Sequence, residues 1–211
     1  MRLRKIPGAR EFVTNHESVL SAEQAFAHAG KWRELLSRPE GDLCLEVGMG
    51  RGRFITESVK TYPDRAFVGL ELREEMIMQT IEKLESTPDN LRFLHANANL
   101  LTEMFAPGEV SVLYLNFPDP WPKSRHAKRR LTAIDFLQKY RQILAADGIL
   151  RFKTDNLDLF EWSLDNFKAA GFNIMDVDRA LSREKAGVIT EYENRYRRRG
   201  QPIYFTCMKN S

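Results

Sequence analysis

From Asp42 onward, short apolar runs alternate with segments of helical periodicity, and this alternation limits the fold more than any other feature of the sequence. The apolar runs predict seven strands, at residues 43–47, 66–71, 91–95, 110–115, 148–153, 172–177 and 202–207. Helices are predicted between them, at residues 54–61, 74–85, 100–105, 132–145 and 157–170. We therefore expect an α/β fold with a seven-stranded, mostly parallel sheet, helices on both faces, and ligands beyond the carboxyl ends of the strands.

Residues 1–40 lack this alternation and are predicted to form an N-terminal arm, packed on or extending from a core domain at residues 41–211. A basic segment with Pro and Gly opens the arm. A helix is predicted at about residues 21–36, with Trp32 and Leu36 as packing residues. A chain of 211 residues is long enough for one domain with a hydrophobic core and such an arm.

Positive charge is concentrated in three clusters, although the net charge of the chain is only +3. The clusters lie at residues 2–5, 123–130 and 195–199. Clustered charge predicts an anionic partner more strongly than net charge does. The alternative is three unrelated solvated patches.

The sequence contains no pattern typical of a membrane segment or a metal site. Its first residues lack the apolar core of a signal peptide, and no apolar stretch approaches membrane length. Cys44 and Cys207 lie in apolar strand-like runs, which predicts small core residues rather than a disulfide or a metal pair. We expect a cytoplasmic protein that binds no metal and no membrane. Whether it is a monomer or a homodimer stays open.

A proline-rich loop at residues 116–123 follows the fourth predicted strand directly. Its three prolines, within five residues, are incompatible with both helix and strand pairing, so the chain must leave the sheet as a stiff loop. The loop carries one amide, one carboxylate (Asp119), two aromatic rings and one ammonium group (Lys123). The basic run that follows is expected to open the next helix. Such a loop indicates a chemical site, and the alternative is a rigid surface turn with a solvated basic face.

A glycine turn with Gly48, Gly50 and Gly52 follows the first predicted strand, and it lacks the G-x-G-x-x-G spacing of dinucleotide sites. Glu46, just before the turn, would repel a pyrophosphate and suits a cofactor with positive charge and no phosphate. Glu71, at the end of the next strand, is placed to accept ribose hydroxyls, although alone it could be a helix cap or a surface acid. Together these features favour S-adenosylmethionine.

Asn97 follows the third predicted strand, where its amide oxygen is placed to accept a hydrogen bond from the adenine amino group. Taken alone, it is equally well explained as a helix cap, the role that we expect for Asn99.

Six segments together resemble the bacterial tRNA (guanine-N7)-methyltransferases in order and spacing. They lie at residues 45–50, 69–71, 116–123, 125–130, 152–156 and 190–193, and the resemblance runs from about residue 4 to the end. It implies a Rossmann-like class I methyltransferase fold. It also implies transfer of a methyl group from S-adenosylmethionine to N7 of a guanosine in the tRNA variable loop.

The resemblance also implies roles for individual residues. The cofactor site would comprise Glu46, Gly48, Gly50, Glu71, Asn97 and Asp119, with Asp119 also catalytic. The substrate site would comprise Lys123, Asp155, Thr190, Glu191, Tyr192 and Glu193. The RNA-contacting segment would comprise Arg125, His126, Ala127, Lys128, Arg129 and Arg130. Family members commonly have Asp where this chain has Asn97, so we expect cofactor binding to survive with altered affinity.

The chemistry of guanine N7 assigns tasks to these side chains. N7 carries a lone pair and no proton, so no general base is needed and Asp119 is expected to stabilise the developing positive charge. Lys123 or a backbone N–H would address O6, while Asp155 or Glu193 would accept from N1–H and the 2-amino group. Phe117 or Trp121 would stack on the base, although Trp121 is equally well explained by core packing.

Two other functions stay open at this point. The Asn116-x-Pro118 and Asp119-Pro120-Trp121 segments resemble the loop of methyltransferases that act on exocyclic amino groups of nucleic acids or on protein glutamine. The other function is an RNA-binding module that has kept the fold but binds no cofactor.

Overall fold

The computed structural model describes residues 5–210, so Arg2 and Arg4 of the first predicted cluster lie outside the described residues. One sheet of eight strands runs through this part of the chain. The strands are β1 (Val19–Ser21), β2 (Leu43–Val47), β3 (Ala66–Glu71), β4 (Leu91–His95), β5 (Val110–Asn116), β6 (Leu144–Thr154), β7 (Asn173–Asp178) and β8 (Tyr204–Lys209). The predicted α/β fold is confirmed. The predicted count of seven is corrected by β1, which lies in the N-terminal segment.

The order of the strands places two loops beside each other at the centre of the sheet. The order is β1-β4-β3-β2-β5-β6-β8-β7, with β8 antiparallel to both β6 and β7 and the other pairs parallel. The chain builds outward from β2 in one direction and from β5 in the other. The carboxyl ends of β2 and β5 therefore flank the switch point, where α/β sheets of this kind bind ligands.

Helices cover both faces of the sheet. In chain order they are α1 (Ala9–Asn15), α2 (Ala22–Phe26), α3 (Trp32–Leu35), α4 (Arg53–Thr61), α5 (Glu74–Ile81), α6 (Leu101–Met104), α7 (Ile134–Ile143), α8 (Leu157–Ala169) and α9 (Glu191–Arg198). Short 3₁₀ helices span Ala98–Leu100 and Ser124–Arg129. The helices α1 and α9 were not expected from the sequence, and α5 ends earlier than the predicted residue 85.

The helix predicted at residues 21–36 is wrong, because the chain forms β1, α2 and α3 there. Ser21 ends the strand and caps α2 through a capping box with Gln24. Gly30 then adopts a φ of 81°, which ends helical geometry. The carboxylate of Glu109, at the start of the β5 region, accepts hydrogen bonds from the backbone N–H groups of Gly30 and Trp32 at 2.9 and 3.1 Å. A residue far along the chain thus fixes the break.

The N-terminal segment packs on the sheet. The strand β1 pairs with β4, and α1 contacts α5. Trp32 and Leu36 are fully buried, as predicted for packing residues, and the indole N–H of Trp32 donates to the carbonyl of Met104 at 2.8 Å. The division of the chain into an arm and a domain at residue 40 stays a prediction.

Both cysteines are free thiols, with Cys44 buried in β2 and Cys207 half-buried in β8. Across residues 5–210, none of the helices combines the length and apolar character needed to span a membrane. Within the same residues, no group of three or more His, Cys, Asp or Glu side chains is arranged to hold a metal ion.

Candidate functional site

A cavity of about 630 Å³ opens at the switch point, between the glycine turn, the proline-rich loop and the start of α9. Among the predicted site residues, those that line it are Glu46, Gly48, Gly50, Asp119, Thr190 and Tyr192. Ile6 of the N-terminal segment also lines it, a contribution that the sequence did not predict. The structure thus brings together the predicted cofactor turn, the predicted catalytic carboxylate and part of the predicted substrate segment.

Glu46 places a buried carboxylate with one unsatisfied oxygen at this cavity. Its Oε1 accepts a hydrogen bond from Nδ2 of Asn116 at 2.9 Å, whereas Oε2 has no hydrogen-bond partner among the described residues. Burial raises the pKa of Glu46 to about 8, and the nearby charge of Glu71 adds to the rise, although the Asn116 bond opposes it. A cationic group in the cavity would satisfy both the oxygen and the charge.

Asn116 is a site residue that the sequence analysis did not assign. In the sequence it stands out as the amide of the proline-rich loop and in the resemblance to amino-group methyltransferases, but not as a partner of Glu46. Because β2 and β5 are neighbours, its side chain reaches the carboxylate of Glu46 across the strand pair.

Glu71 supports the glycine turn from beneath. Its carboxylate accepts hydrogen bonds from the backbone N–H groups of Gly50 at 2.9 Å, Leu72 at 2.9 Å and Arg73 at 3.1 Å. Burial raises the pKa of Glu71, and these three amides oppose the rise. A carboxylate has about four acceptor positions, so one remains for a ligand hydroxyl. Glu71 is not among the residues that line the cavity. Its predicted contact with the ribose therefore stays a prediction.

The glycine turn requires glycine at each of its three positions. Gly48, Gly50 and Gly52 have φ values of 77°, 55° and 68°, which side-chain-bearing residues rarely adopt. A Cβ at Gly50 would meet no protein atom within 4 Å, so the missing side chain leaves space at the cavity wall. A Cβ at Gly52 would collide with Thr80. The turn therefore brings bare backbone to the cavity, as a close-fitting ligand needs.

Asn97 is exposed and caps the 3₁₀ helix Ala98–Leu100, its Oδ1 accepting from the N–H of Asn99 at 2.9 Å. Asn99 lies inside that helix, so its predicted capping role is wrong. The structure places Asn97 at the edge of the sheet beyond β4. Its predicted contact with adenine stays a prediction.

The proline-rich loop is held in a strained conformation around Asp119. Phe117 and Trp121 have φ values of 52° and 40°, in the left-handed region that aromatic residues avoid. Asp119 lies between them, exposed to solvent and facing the cavity. Strain of this kind persists only where surrounding contacts impose it.

Arg130 provides such contacts. Its Nε donates to the carbonyl of Pro120 at 3.0 Å and its Nη2 to the carbonyl of Trp121 at 3.1 Å. Its guanidinium lies 4.4 Å from the ring centre of Trp162. Arg130 was predicted to contact RNA, but the structure turns it inward against the loop, where it acts as a brace.

The rest of the predicted RNA-contacting segment forms the 3₁₀ helix Ser124–Arg129, not the start of α7 as expected. Arg130 has an extended backbone at the C-terminal cap, where the short helix ends. Arg125, Lys128 and Arg129 are exposed, and His126 and Ala127 are partly exposed. Trp121 is half-buried, with the guanidinium of Arg129 at 5.2 Å from its ring, so it packs at the surface rather than in the core.

The predicted substrate residues divide into exposed and buried groups. Lys123 is exposed, Asp155 is half-buried, and Tyr192 is exposed at the cavity with its ring 5.2 Å from that of Phe117. The hydroxyl of Thr190 accepts from the N–H of Glu193 at 2.9 Å and caps α9. The side chain of Glu191 lies outside the described part of the structure.

Glu193 is fully buried and engaged on both carboxylate oxygens. Its Oε2 pairs with Nζ of Lys153 at 3.2 Å, and its Oε1 accepts from Nη2 and Nε of Arg197 at 2.6 and 2.8 Å. Burial lowers the pKa of Lys153, while the carboxylate of Glu193 opposes the fall. The sequence analysis did not identify this network. The pattern Thr190-x-x-Glu193 is that of a helix N-terminus and would have predicted α9.

The sequence of this chain is similar to those of known methyltransferases. Residues 40–206 match a family model described as "Putative methyltransferase". The tRNA (guanine-N(7)-)-methyltransferases of Lachnoclostridium phytofermentans and Brevibacillus brevis are 41% and 42% identical over 208 residues, which cover 97% of this chain and 96% of each relative. The enzyme of that name from Bacillus subtilis is 39% identical over 207 residues, with the same coverage.

Solved structures confirm the class I methyltransferase fold. The 16S rRNA methyltransferase KamB superposes with a TM-score of 0.65 at 17% identity, covering 85% of this chain and 92% of that one. An antibiotic-related methyltransferase superposes with a TM-score of 0.63 at 16% identity, covering 90% and 94%. At such identities the likeness concerns the fold alone. The family resemblance in the sequence is confirmed by the full-length relatives, and the chain belongs to the tRNA (guanine-N7)-methyltransferase family.

Proposed function

We propose that this protein transfers a methyl group from S-adenosylmethionine to N7 of a guanosine in the tRNA variable loop. Membership in the family supports the reaction and the tRNA substrate, which would place the enzyme in the cytoplasm. The structural observation that carries the proposal is the unpartnered Oε2 of Glu46 at a cavity that is also lined by Asp119. A buried acceptor without a partner is costly unless a ligand completes it.

The residues at the cavity fit this cofactor. Its methionine tail carries an ammonium group, which Oε2 of Glu46 would accept, and Asp119 would offset the positive charge of its sulfonium. The remaining acceptor position of Glu71, beneath Gly50, suits a ribose hydroxyl. Glu46, Glu71 and Asp119 present carboxylate acceptors, which suit positive charge and hydroxyl donors rather than a phosphate. When bound, S-adenosylmethionine supplies an electrophilic methyl group.

The protein's part in the reaction is to position guanine and to balance charge. Guanine N7 already presents a lone pair, so no side chain has to remove a proton. Asp119 faces the cavity and, as the purine gains positive charge, its carboxylate stabilises that charge. The strained backbone around Asp119 and the brace from Arg130 fix its direction before substrate arrives.

Recognition of the base falls to Asp155, Tyr192 and Lys123. Glu193 is fully buried and bonded to Lys153 and Arg197, so among the two acids predicted to accept from N1–H and the 2-amino group we assign the task to Asp155. The exposed ring of Tyr192 at the cavity offers a stacking surface. Lys123 would address O6.

The exposed side chains of Arg125, Lys128 and Arg129 would hold tRNA phosphates beyond the loop. Each contact displaces counterions, so binding should weaken steeply as salt increases. The bonds of Arg130 to the loop carbonyls support leaving it out of this proposed surface.

Incubation of the purified protein with unmodified tRNA and methyl-labelled S-adenosylmethionine, followed by nucleoside analysis, tests the function. We expect 7-methylguanosine as the product. A label on an exocyclic nitrogen would replace this function with amino-group methylation. Failure to bind S-adenosylhomocysteine in calorimetry would favour the RNA-binding module.

The role of Asp119 has its own test. Asp119→Ala should lower the rate of methyl transfer by about a hundredfold or more, as removal of a preorganised charge does elsewhere. Asp165→Ala, at an exposed position on α8, is the matched control and should leave the rate unchanged. A near-native rate with unchanged cofactor affinity in Asp119→Ala would remove Asp119 from the mechanism.

A further inference from the structure

A second groove, of about 440 Å³, opens beside the cavity between the start of α4 and the last turn of α9. It is lined by Arg53, Asn194, Arg195, Arg198 and Arg199. The sequence predicts an anionic partner for the basic cluster at residues 195–199. The structure adds Arg53 from a distant part of the chain to it.

The four guanidinium groups of this groove have no hydrogen bond and no ion pair within the described part of the chain, and all four arginines are exposed. Arg197, in the same helix, behaves differently, since it is bonded to Glu193 and to the carbonyl of Leu181. The lining includes no carboxylate. Four like charges repel one another in one groove unless an anion neutralises them.

We propose that this groove binds the phosphodiester backbone of the tRNA next to the nucleotide whose base enters the cavity. Arg53 and Arg195 line both openings, so a strand with its base in the cavity has its backbone beside the groove. Guanidinium groups match phosphate oxygens in geometry and charge. The proposal rests on the proposed function for the identity of the RNA. It adds a phosphate site separate from residues 125–129, none of which lines the groove or the cavity.

The variant Arg198→Gln/Arg199→Gln tests the groove without changing the cofactor cavity. These two arginines line the groove but not the cavity. The matched control is Lys60→Gln/Lys168→Gln, which removes the same charge. Lys60 and Lys168 lie in the last turns of α4 and α8, at the edge of the sheet opposite the cavity. Circular dichroism and thermal unfolding establish that both proteins are folded.

Binding to tRNA is measured across a range of salt concentrations for the wild type and both variants. The Arg198→Gln/Arg199→Gln variant should bind tRNA about tenfold to a hundredfold more weakly at low salt. Its plot of log affinity against log salt should be shallower by roughly 1.4 to 1.8, the loss of two phosphate contacts. Affinity for S-adenosylhomocysteine should be unchanged, and the lysine control should match the wild type.

A variant with wild-type affinity and salt slope would overturn the groove proposal, as would an equal loss in the lysine control. These results do not depend on the product of the reaction. If the wild type made no 7-methylguanosine, but the Arg198→Gln/Arg199→Gln variant bound tRNA more weakly than the wild type, the proposed function would fail and the groove proposal would stand.

Discussion

Replacing Glu46 with Gln should stabilise the free protein at alkaline pH while weakening cofactor binding. Burial raises the pKa of Glu46 from 4.5 to about 8. Between these pH values the folded protein holds a proton that the unfolded chain has released. The free energy of unfolding of the wild type therefore falls as pH rises through this window, by up to about 1.36 kcal/mol per pH unit. Above about pH 8, the free energy of unfolding has lost this contribution in full.

The Gln side chain removes this pH dependence and keeps the local contact. Its carbonyl oxygen can accept from Asn116 as Oε1 of Glu46 does, and it carries no charge. We expect the difference in free energy of unfolding, wild type minus variant, to become more negative by about 3 kcal/mol between pH 5.5 and pH 8.5. Urea denaturation at several pH values measures it. Glu103→Gln, at an exposed position on α6, is the control and should track the wild type.

The titration of Glu46 should also affect cofactor binding, but in the opposite direction: deprotonation lowers the stability of the free protein and strengthens binding. A bound ammonium group favours the charged carboxylate, so wild-type affinity for S-adenosylhomocysteine should rise from pH 6 to pH 8 relative to the variant. The rise is at most about a hundredfold, because at pH 6, two units below its pKa, Glu46 must lose its proton before the charged carboxylate can bind the ligand. Comparing the two proteins with one ligand cancels the titration of the ligand itself. A stability difference independent of pH, or an affinity ratio that stays flat, would refute the assignment of Glu46.

Three further predictions concern side chains that the structure places in supporting roles. Arg130→Lys keeps the charge but lacks the planar fork whose two nitrogens reach the two loop carbonyls, so kcat should fall at least about tenfold with an unchanged salt slope of tRNA binding. A shallower salt slope would mean that Arg130 contacts phosphate. Glu109→Ala leaves three backbone N–H groups without their acceptor and should lower the free energy of unfolding by about 3 kcal/mol in urea denaturation, against less than about 0.5 kcal/mol for Glu103→Ala. Glu193→Ala leaves the buried ammonium of Lys153 without its ion-pair partner, with only the carbonyl of Ala186 to accept from it, and should lower the free energy of unfolding by about 3 kcal/mol or more. Lost activity at unchanged stability in Glu193→Ala would instead support its predicted contact with guanine.

The central strands and the glycine turn could be predicted because their determinants are local. Apolar runs of five or six residues separated by helical periodicity define β2 to β5 whatever lies elsewhere in the chain. The N-terminal segment could not, since the predicted helix is broken at Gly30 by a left-handed backbone together with the carboxylate of Glu109. Residues 21–36 have a helical pattern. The hydrogen bonds that Gly30 and Trp32 donate to Glu109 join residues 79 and 77 positions apart, which a local pattern cannot predict.

At the site, the sequence predicted the kinds of groups but not their directions. Arg129 and Arg130 are adjacent in one basic run, yet one faces solvent and the other binds loop carbonyls. No pattern within the run distinguishes them, because the difference arises from where Pro120 and Trp162 lie in the fold. Asn116 escaped assignment for the same reason, since its partner Glu46 belongs to a neighbouring strand.

Three buried glutamates around the cavity differ in what remains unsatisfied, and this difference decides what each can do. Both oxygens of Glu193 are bonded to side chains, so it holds α9 and with it the wall formed by Thr190 and Tyr192. Both oxygens of Glu71 are bonded to backbone N–H groups, so it shapes the turn at Gly50. Glu46 alone keeps an enclosed oxygen without a partner in the described part of the chain. Burial of an unpaired acceptor lowers stability, and such a group is retained where a ligand of opposite charge completes it.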